Sequence, residues 1–245
     1  VLDVDTIVKE QMALYKKIHD IVREPMSLLF DAYKKKKTIL YEGAQGMFLD
    51  NDWGTYPFVT ASSTVAGSIT ASSGIPAQYI NRVTGVTKAY TTRVGSGPFP
   101  TELSDAVGEK LRAVGKEYGA TTGRPRRCGW FDAELVRFAS KVNGFTDLAI
   151  TKIDVLDSFE TIKICTGYTF KGKHVSYEEL DAYSLAEVQG VYKEMKGWKK
   201  PLGDIKKYAL LPKEAKAYLL ELEKQTGAKI KTVSVGPNRN QTLYR

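Results

Sequence analysis

Apolar residues recur at mostly helical spacing from residue 4 to residue 23, where Ile7, Val8, Met12, Leu14, Ile18, Ile21 and Val22 predict a helix that Pro25 ends or kinks. Residues 26 to 36 continue as helix, and TILYEGAQG then reads as a short buried strand running into a glycine turn. Residues 55 to 74 are rich in Ser, Thr, Ala and Gly with little periodicity, the pattern of close-packed backbone or a ligand-lining loop. VTGVTKAYTTRVG (83 to 95) is β-branched and strand-like, and it closes on GSGPFPTEL. A helix is expected over 104 to 117 and another over WFDAELVRFASKVNG, ending at Gly144. LAITKIDVLD reads as a strand and polar turn, and TIKICTGYTFKGKHV as a hairpin around KGK. A helix follows Pro212 and ends at TGAK, after which KIKTVSV forms a strand leading into GPNR. Strands alternating with helices imply an α/β fold, a largely parallel central β-sheet flanked by helices with a small β-hairpin excursion, read as a single domain over 1–245. In such sheets ligands gather where strands end, and three exits carry polar, glycine-containing turns or short polar runs: GAQG, TKID and SVGPNR.

Composition narrows the class. The 245 residues are 42% hydrophobic and 26% charged, ordinary for a globular protein with ample core. Two cysteines far apart, Cys128 and Cys165, and only two histidines argue against a zinc site or a disulfide scaffold and favour a reducing, cytoplasmic compartment. No apolar run reaches the ~18 residues of a membrane span, and the first residues do not read as a signal peptide. A start at VLDVDTIVKE, without methionine and directly in a helical pattern, is expected of the interior of a longer chain. The net charge of +8 admits nucleic acid or small polyanions as partners. The run Lys34 to Lys37 suits a solvated helix C-terminus, and no RNP-like, zinc-finger or helix-turn-helix signature accompanies it.

The chemistry concentrates in YGATTGRPRRCGW (118 to 130), where three arginines share a glycine-hinged loop. Guanidinium forks match carboxylates and phosphates, and threonine hydroxyls with glycine N–H groups add neutral donors; a basic surface loop is the plainer alternative. In TKID, the Asp154 carboxylate can accept from the N1–H and N2 amino edge of guanine, while Lys152 can lay its stem along the purine face. An exposed ion pair at a strand end explains the same residues. EGAQG holds Gln45 between small residues, an amide suited to reading a base edge or an ordinary turn residue. Neither G-x-x-x-x-G-K-[ST] nor G-x-G-x-x-G occurs.

Together, EGAQGMFLDNDWGTYPFVT, TTRVGSGPFPTEL, GATTGRPRRCGW, TKIDVLD and SVGPNR, in this order, resemble the adenylosuccinate synthetase family over nearly the whole chain, though only over the C-terminal part of the family's usual length. The resemblance implies synthesis of adenylosuccinate from IMP and L-aspartate. GTP phosphorylates the 6-oxygen of IMP, and the aspartate amine then displaces phosphate. It implies that Gln45 supports the 6-phosphoryl-IMP intermediate, that Thr60 contacts the IMP phosphate and that Val94 packs at the ribose. Ala120, Thr121, Thr122, Gly123, Arg124, Pro125 and Arg126 would bind aspartate, with Arg124 also near IMP and Arg126 on the GTP side. Lys152, Ile153 and Asp154, with Ser234, Val235 and Gly236, would hold GTP.

The same resemblance implies Mg2+, a general base, a general acid and a phosphate loop in the family's N-terminal segment, so no metal ligand is expected in this chain and the isolated chain is expected to be inactive. A homodimer is implied, without nucleic acid or membrane partners. Trp53 stands where the family commonly has histidine, Pro125 interrupts the arginine run, Asn238 replaces a frequent aspartate, and Arg127 receives no role. The competing reading is a non-catalytic basic module that binds nucleotides or nucleic acid.

Overall fold

Asp3 and Glu24 accept backbone N–H groups at the heads of the first two helices, supplying acceptors that the opening turns lack. In the computed structural model, which describes residues 2–119 and 123–245, the chain divides into two compact units, Val1–Glu42 with Gly67–Tyr79, and Gly43–Ala66 with Ile80–Arg245. The first unit contains α1 (Val4–Ile18), α2 (Pro25–Lys34) and α3 (Ser68–Ser73). Helix α1 stops earlier than the apolar spacing suggests, giving way to a 3-10 turn at His19–Ile21, and none of its residues is buried. Pro25 opens α2, where its missing N–H costs no hydrogen bond.

The strand expected in TILYEGAQG is absent. Residues 38 to 44 have no regular structure, and Leu40 is 89% exposed. A strand needs a neighbour for its N–H and C=O groups, and none of the described residues supplies one for this stretch.

The second unit carries, in chain order, β1 (Thr84–Lys88), β2 (Thr91–Arg93), α4 (Ala106–Gly115), β3 (Arg127–Gly129), β4 (Phe131–Asp132), α5 (Ala133–Asn143), β5 (Asp147–Thr151), β6 (Thr161–Phe170), β7 (Lys173–Val175), α6 (Ala182–Glu187), β8 (Gln189–Lys196), α7 (Lys213–Thr226), β9 (Ile230–Ser234) and β10 (Thr242–Tyr244). Its central sheet has the order β1-β5-β9-β10, parallel across β1, β5 and β9 and antiparallel at β10. Leu148, Ile150, Ile230 and Val233 of this sheet join Tyr218, Leu219 and Leu222 of α7 in one buried core. This is the largely parallel α/β arrangement that the alternating pattern suggests. The hairpin around KGK is β6–β7, turned at Lys171 and Gly172, both with positive φ. Its sheet is larger than a hairpin, because β8 runs antiparallel along β6 and β4 lies parallel on its other side.

The segment 83–95 is two strands in different sheets. Ala89 and Tyr90 are consecutive buried residues, which breaks the alternation of one continuous strand, and β2 pairs with β3 in a separate ribbon.

Candidate functional site

Three parallel strands end side by side. Lys88 at the end of β1 is in register with Thr151 at the end of β5, and Ile150 is in register with Val233, one residue before the end of β9. The TKID and SVG turns therefore neighbour each other, where α/β sheets commonly bind ligands. Lys152 leaves β5 with φ 58° and starts a 3-10 turn, Ile153–Leu156. The side chains of Ile153 and Val235 lie in the core, so anything they offer a ligand comes from their backbone. Ser234 Oγ donates to Gly236 O at 2.8 Å. A Cβ on Gly236 would stand 2.3 Å from Gln241 Oε1, so a larger residue there would have to displace the end of the Gln241 side chain.

Asp154 is the unusual member. Its Oδ1 is buried and has no hydrogen-bond partner among the described residues. Burial raises its pKa, and the charge of Lys152 only partly offsets that rise. An acceptor left open in this way fits a donor edge supplied by a ligand.

The arginine loop rises from a short stem. Gly119 N donates to Arg124 O at 2.8 Å, Gly123 N to Gly119 O at 2.8 Å, and Arg126 N to Glu117 O at 2.9 Å. Gly123 has φ 64°, a conformation that glycine adopts without a Cβ clash. Ala120, Thr121 and Thr122 lie outside the described residues; Arg124 and Pro125 are exposed. Glu117 is completely buried at the base of the stem, and its carboxylate accepts from Arg126 at 2.7 Å, Lys152 at 2.8 Å, Lys88 at 2.9 Å and Tyr90 at 2.5 Å. Burial raises its pKa, but hydrogen bonds from Lys152, Lys88, Tyr90 and Arg126 outweigh that and hold it at about 2. One carboxylate thus joins the arginine loop to the TKID turn.

Arg127 gains a structural assignment. Its guanidinium grips Glu102 through two nitrogens, donates to Gly95 O at 2.9 Å and Gly97 O at 2.7 Å, and lies over the Phe99 ring. It buttresses the VGSGPF turn. A cleft of about 450 Å³ beside it is lined by Phe58, Gly97, Phe99 and Tyr183 among others, and includes none of the expected ligand-binding residues.

Asp50 organises the remaining group. Fully buried, it accepts from the backbone N–H groups of Asp52, Trp53, Thr64 and Val65 at 2.6–3.2 Å, which hold its pKa low against burial. Thr60 joins that loop through its N–H to Leu49 O at 2.8 Å, and its hydroxyl lies 2.8 Å from Ser62 Oγ. Gln45, exposed with φ 60°, precedes Gly46, whose carbonyl accepts from Thr64 Oγ1 at 2.8 Å. Arg93 donates to Thr55 Oγ1 at 2.7 Å and Phe58 O at 3.1 Å, tying the loop to the end of β2, where Val94 is exposed. Arg93 is also in register with Arg127, the neighbour of Arg126. The Gln45–Thr60–Val94 group and the Arg126–Lys152–Asp154 group are therefore bridged by the β2–β3 ribbon.

Sequence reasoning missed Glu117 and Asp50. Glu117 stands directly before the quoted arginine segment, but nothing local distinguishes it from a surface glutamate. Among the described residues, no group of three or more His, Cys, Asp or Glu side chains is gathered to hold a metal ion.

A buried open acceptor and an arginine loop are joined at the carboxyl ends of the parallel strands of this α/β protein. A family model described as adenylosuccinate synthetase matches residues 1–243, and the chain belongs to that family. It is 51% identical over 226 residues to an adenylosuccinate synthetase of Geobacter sulfurreducens, covering 92% of this chain and 52% of the relative. It is 48% identical over 242 residues to one from Clostridium novyi, covering 99% of this chain and 57% of the relative. The fully ligated adenylosuccinate synthetase from Plasmodium falciparum superposes with a TM-score of 0.96 at 35% identity, over 100% of this chain and 59% of that one. The chain spans about half the length of the curated relatives it matches.

Proposed function

We propose that this chain supplies the guanine-reading and aspartate-binding part of an enzyme that ligates L-aspartate to IMP with GTP, giving adenylosuccinate in the route from IMP to AMP. The observation that carries the reading is the buried, unpartnered Asp154 Oδ1 beside Lys152 at the strand exits. Guanine offers that carboxylate two parallel donors, N1–H and the N2 amino group, where adenine offers an acceptor at N1 and no amino group at C2. Lys152 lays its methylene stem against the base while its ammonium stays on Glu117, and the 234–236 turn closes the base from the neighbouring strand.

The arginine loop meets the other anions. Arg124, with the loop 120–126, takes the aspartate carboxylates, and Arg126 lies toward the nucleotide, where it offsets negative charge on the transferring phosphoryl group. Closing the loop excludes water that would otherwise hydrolyse the phosphorylated purine. Gln45 hydrogen-bonds the base near its 6-oxygen, Thr60 the 5′-phosphate, and Val94 lies against the ribose. Mg2+, which the family resemblance implies, has no ligand set among the described residues, and no step here is routed through it. We assign the whole enzyme to the cytoplasm as a homodimer; none of the helices described is long and apolar enough to cross a membrane.

The test is product formation by the intact enzyme with IMP, aspartate and GTP, each omitted in turn. Adenylosuccinate that appears only when all three are present supports the reading. No product, together with salt-sensitive retention of nucleic acid, would replace it with a basic binding module. This chain by itself is expected to be inactive, and measured turnover by it would contradict the division of labour.

A further inference from the structure

Glu117 has no exposed surface with which to meet substrate directly: its side chain is 0% exposed. Its four partners come from three separate places in the chain. Lys88 ends β1, Tyr90 precedes β2, Arg126 precedes β3 and Lys152 follows β5. Three cations converge on one carboxylate, with Lys152 Nζ also donating to Gly115 O at 2.6 Å and Lys88 Nζ to Thr92 Oγ1 at 2.7 Å. Both carboxylate oxygens are fully engaged, Oε1 with Tyr90, Lys88 and Lys152, and Oε2 with Lys88 and Arg126. Without the negative charge, the three half-buried cations would repel one another across a site that water screens only in part.

We propose that Glu117 is a positioning residue that locks Lys152 and Arg126 into one geometry, so that guanine recognition and the aspartate-binding loop are set together. The proposal rests on the function above and adds a coupling to it. Lys152 can present its stem to a base only while its ammonium is anchored behind the turn, and that anchor is also the foot of the arginine loop. Whatever shifts Lys152 shifts Arg126 through a single shared carboxylate. Coupling of this kind is reciprocal, since a nucleotide that stabilises the arrangement favours aspartate by the same factor as aspartate favours the nucleotide. The IMP contacts assigned to Gln45, Thr60 and Val94 belong to the Asp50 loop and the β2 end and do not pass through Glu117, while Arg124, also assigned near IMP, stands on the loop that does.

The experiment compares the intact enzyme with Glu117→Gln and Glu117→Asp, measuring kcat and the KM of GTP, aspartate and IMP separately. Glu117→Gln is expected to raise the KM of both GTP and aspartate by about 10-fold or more, with the KM of IMP raised by clearly less than either. Glu117→Asp keeps the charge but withdraws it by one methylene, and is expected to recover part of both losses together. A shift in the KM of GTP or aspartate alone, an equal shift in all three, or a lowered Tm with unchanged kinetics would each overturn the proposal. If Glu117→Gln does not fold, the charge-balanced pair Glu117→Gln/Lys88→Met carries the same comparison. Failure of all three variants to fold would assign Glu117 to the core alone, which also overturns it. The parent reading is judged separately, by whether the unsubstituted enzyme needs GTP and aspartate at all.

Discussion

Tyr168 Oη donates to Asp132 Oδ2 at 2.7 Å, with Asp132 2% and Tyr168 1% exposed. The other carboxylate oxygen caps α5 by accepting from Leu135 N at 3.2 Å, so the group is bonded yet sealed from water. Burial dominates, raising the Asp132 pKa from 3.8 to about 7 despite both hydrogen bonds. The folded chain therefore holds a proton that the unfolded chain releases, and stability falls as pH rises from about 3.8 to about 7. Asp132→Asn keeps an oxygen for the helix cap and cannot ionise. Relative to the natural protein, its stability in denaturant titrations is expected to improve from about pH 4 to about pH 8. A difference that stays constant across that range would show that Asp132 does not titrate in this way.

Glu117 has the opposite sign. Its folded pKa is held at about 2, below its ordinary 4.5, so its contribution to stability is full above about 4.5 and is lost as pH falls toward about 2. Unfolding followed between those limits is expected to show a shallower acid loss in Glu117→Gln than in the natural protein. Identical acid limbs would mean that the four donors do not stabilise the ionised form.

Arg124 is exposed at the top of the loop stem. Arg124→Leu is expected to raise the apparent KM for aspartate by about 10-fold or more, or to collapse turnover, in initial rates at saturating GTP and IMP. Arg124→Lys keeps the charge without the fork and is expected to recover only part of the loss. Unchanged kinetics in Arg124→Leu would remove the loop from the mechanism.

What the chain discloses without coordinates depends on the range of the interaction. Gly144 and Gly227 end helices in the left-handed conformation, and Asp105 and Asp132 begin them, all through contacts within a few residues. Lys152 and Asp154 stand out for the same local reason, a polar turn after an apolar strand. Glu117 does not, because its importance comes from Lys88 and Lys152, 29 and 35 residues away. The expectation of a strand at TILYEGAQG failed because apolar residues in a row show what a segment can do and say nothing of whether a partner is present. Strand β8 was overlooked for a related reason: its side chains are mostly exposed or half-buried, and pairing with β6 rather than apolar alternation defines it.

The selectivity of the intact enzyme for its nucleotide is the most direct test, measured as kcat/KM with GTP, ATP and xanthosine triphosphate before and after Asp154→Asn. If the open Asp154 oxygen reads the guanine edge, GTP is preferred over ATP by ~10²-fold or more, and the substitution erases that preference. The new amide should also favour xanthosine triphosphate, whose 2-oxo group accepts where guanine donates. Equal use of GTP and ATP by the unsubstituted enzyme, or an unaltered GTP preference in Asp154→Asn, would contradict it.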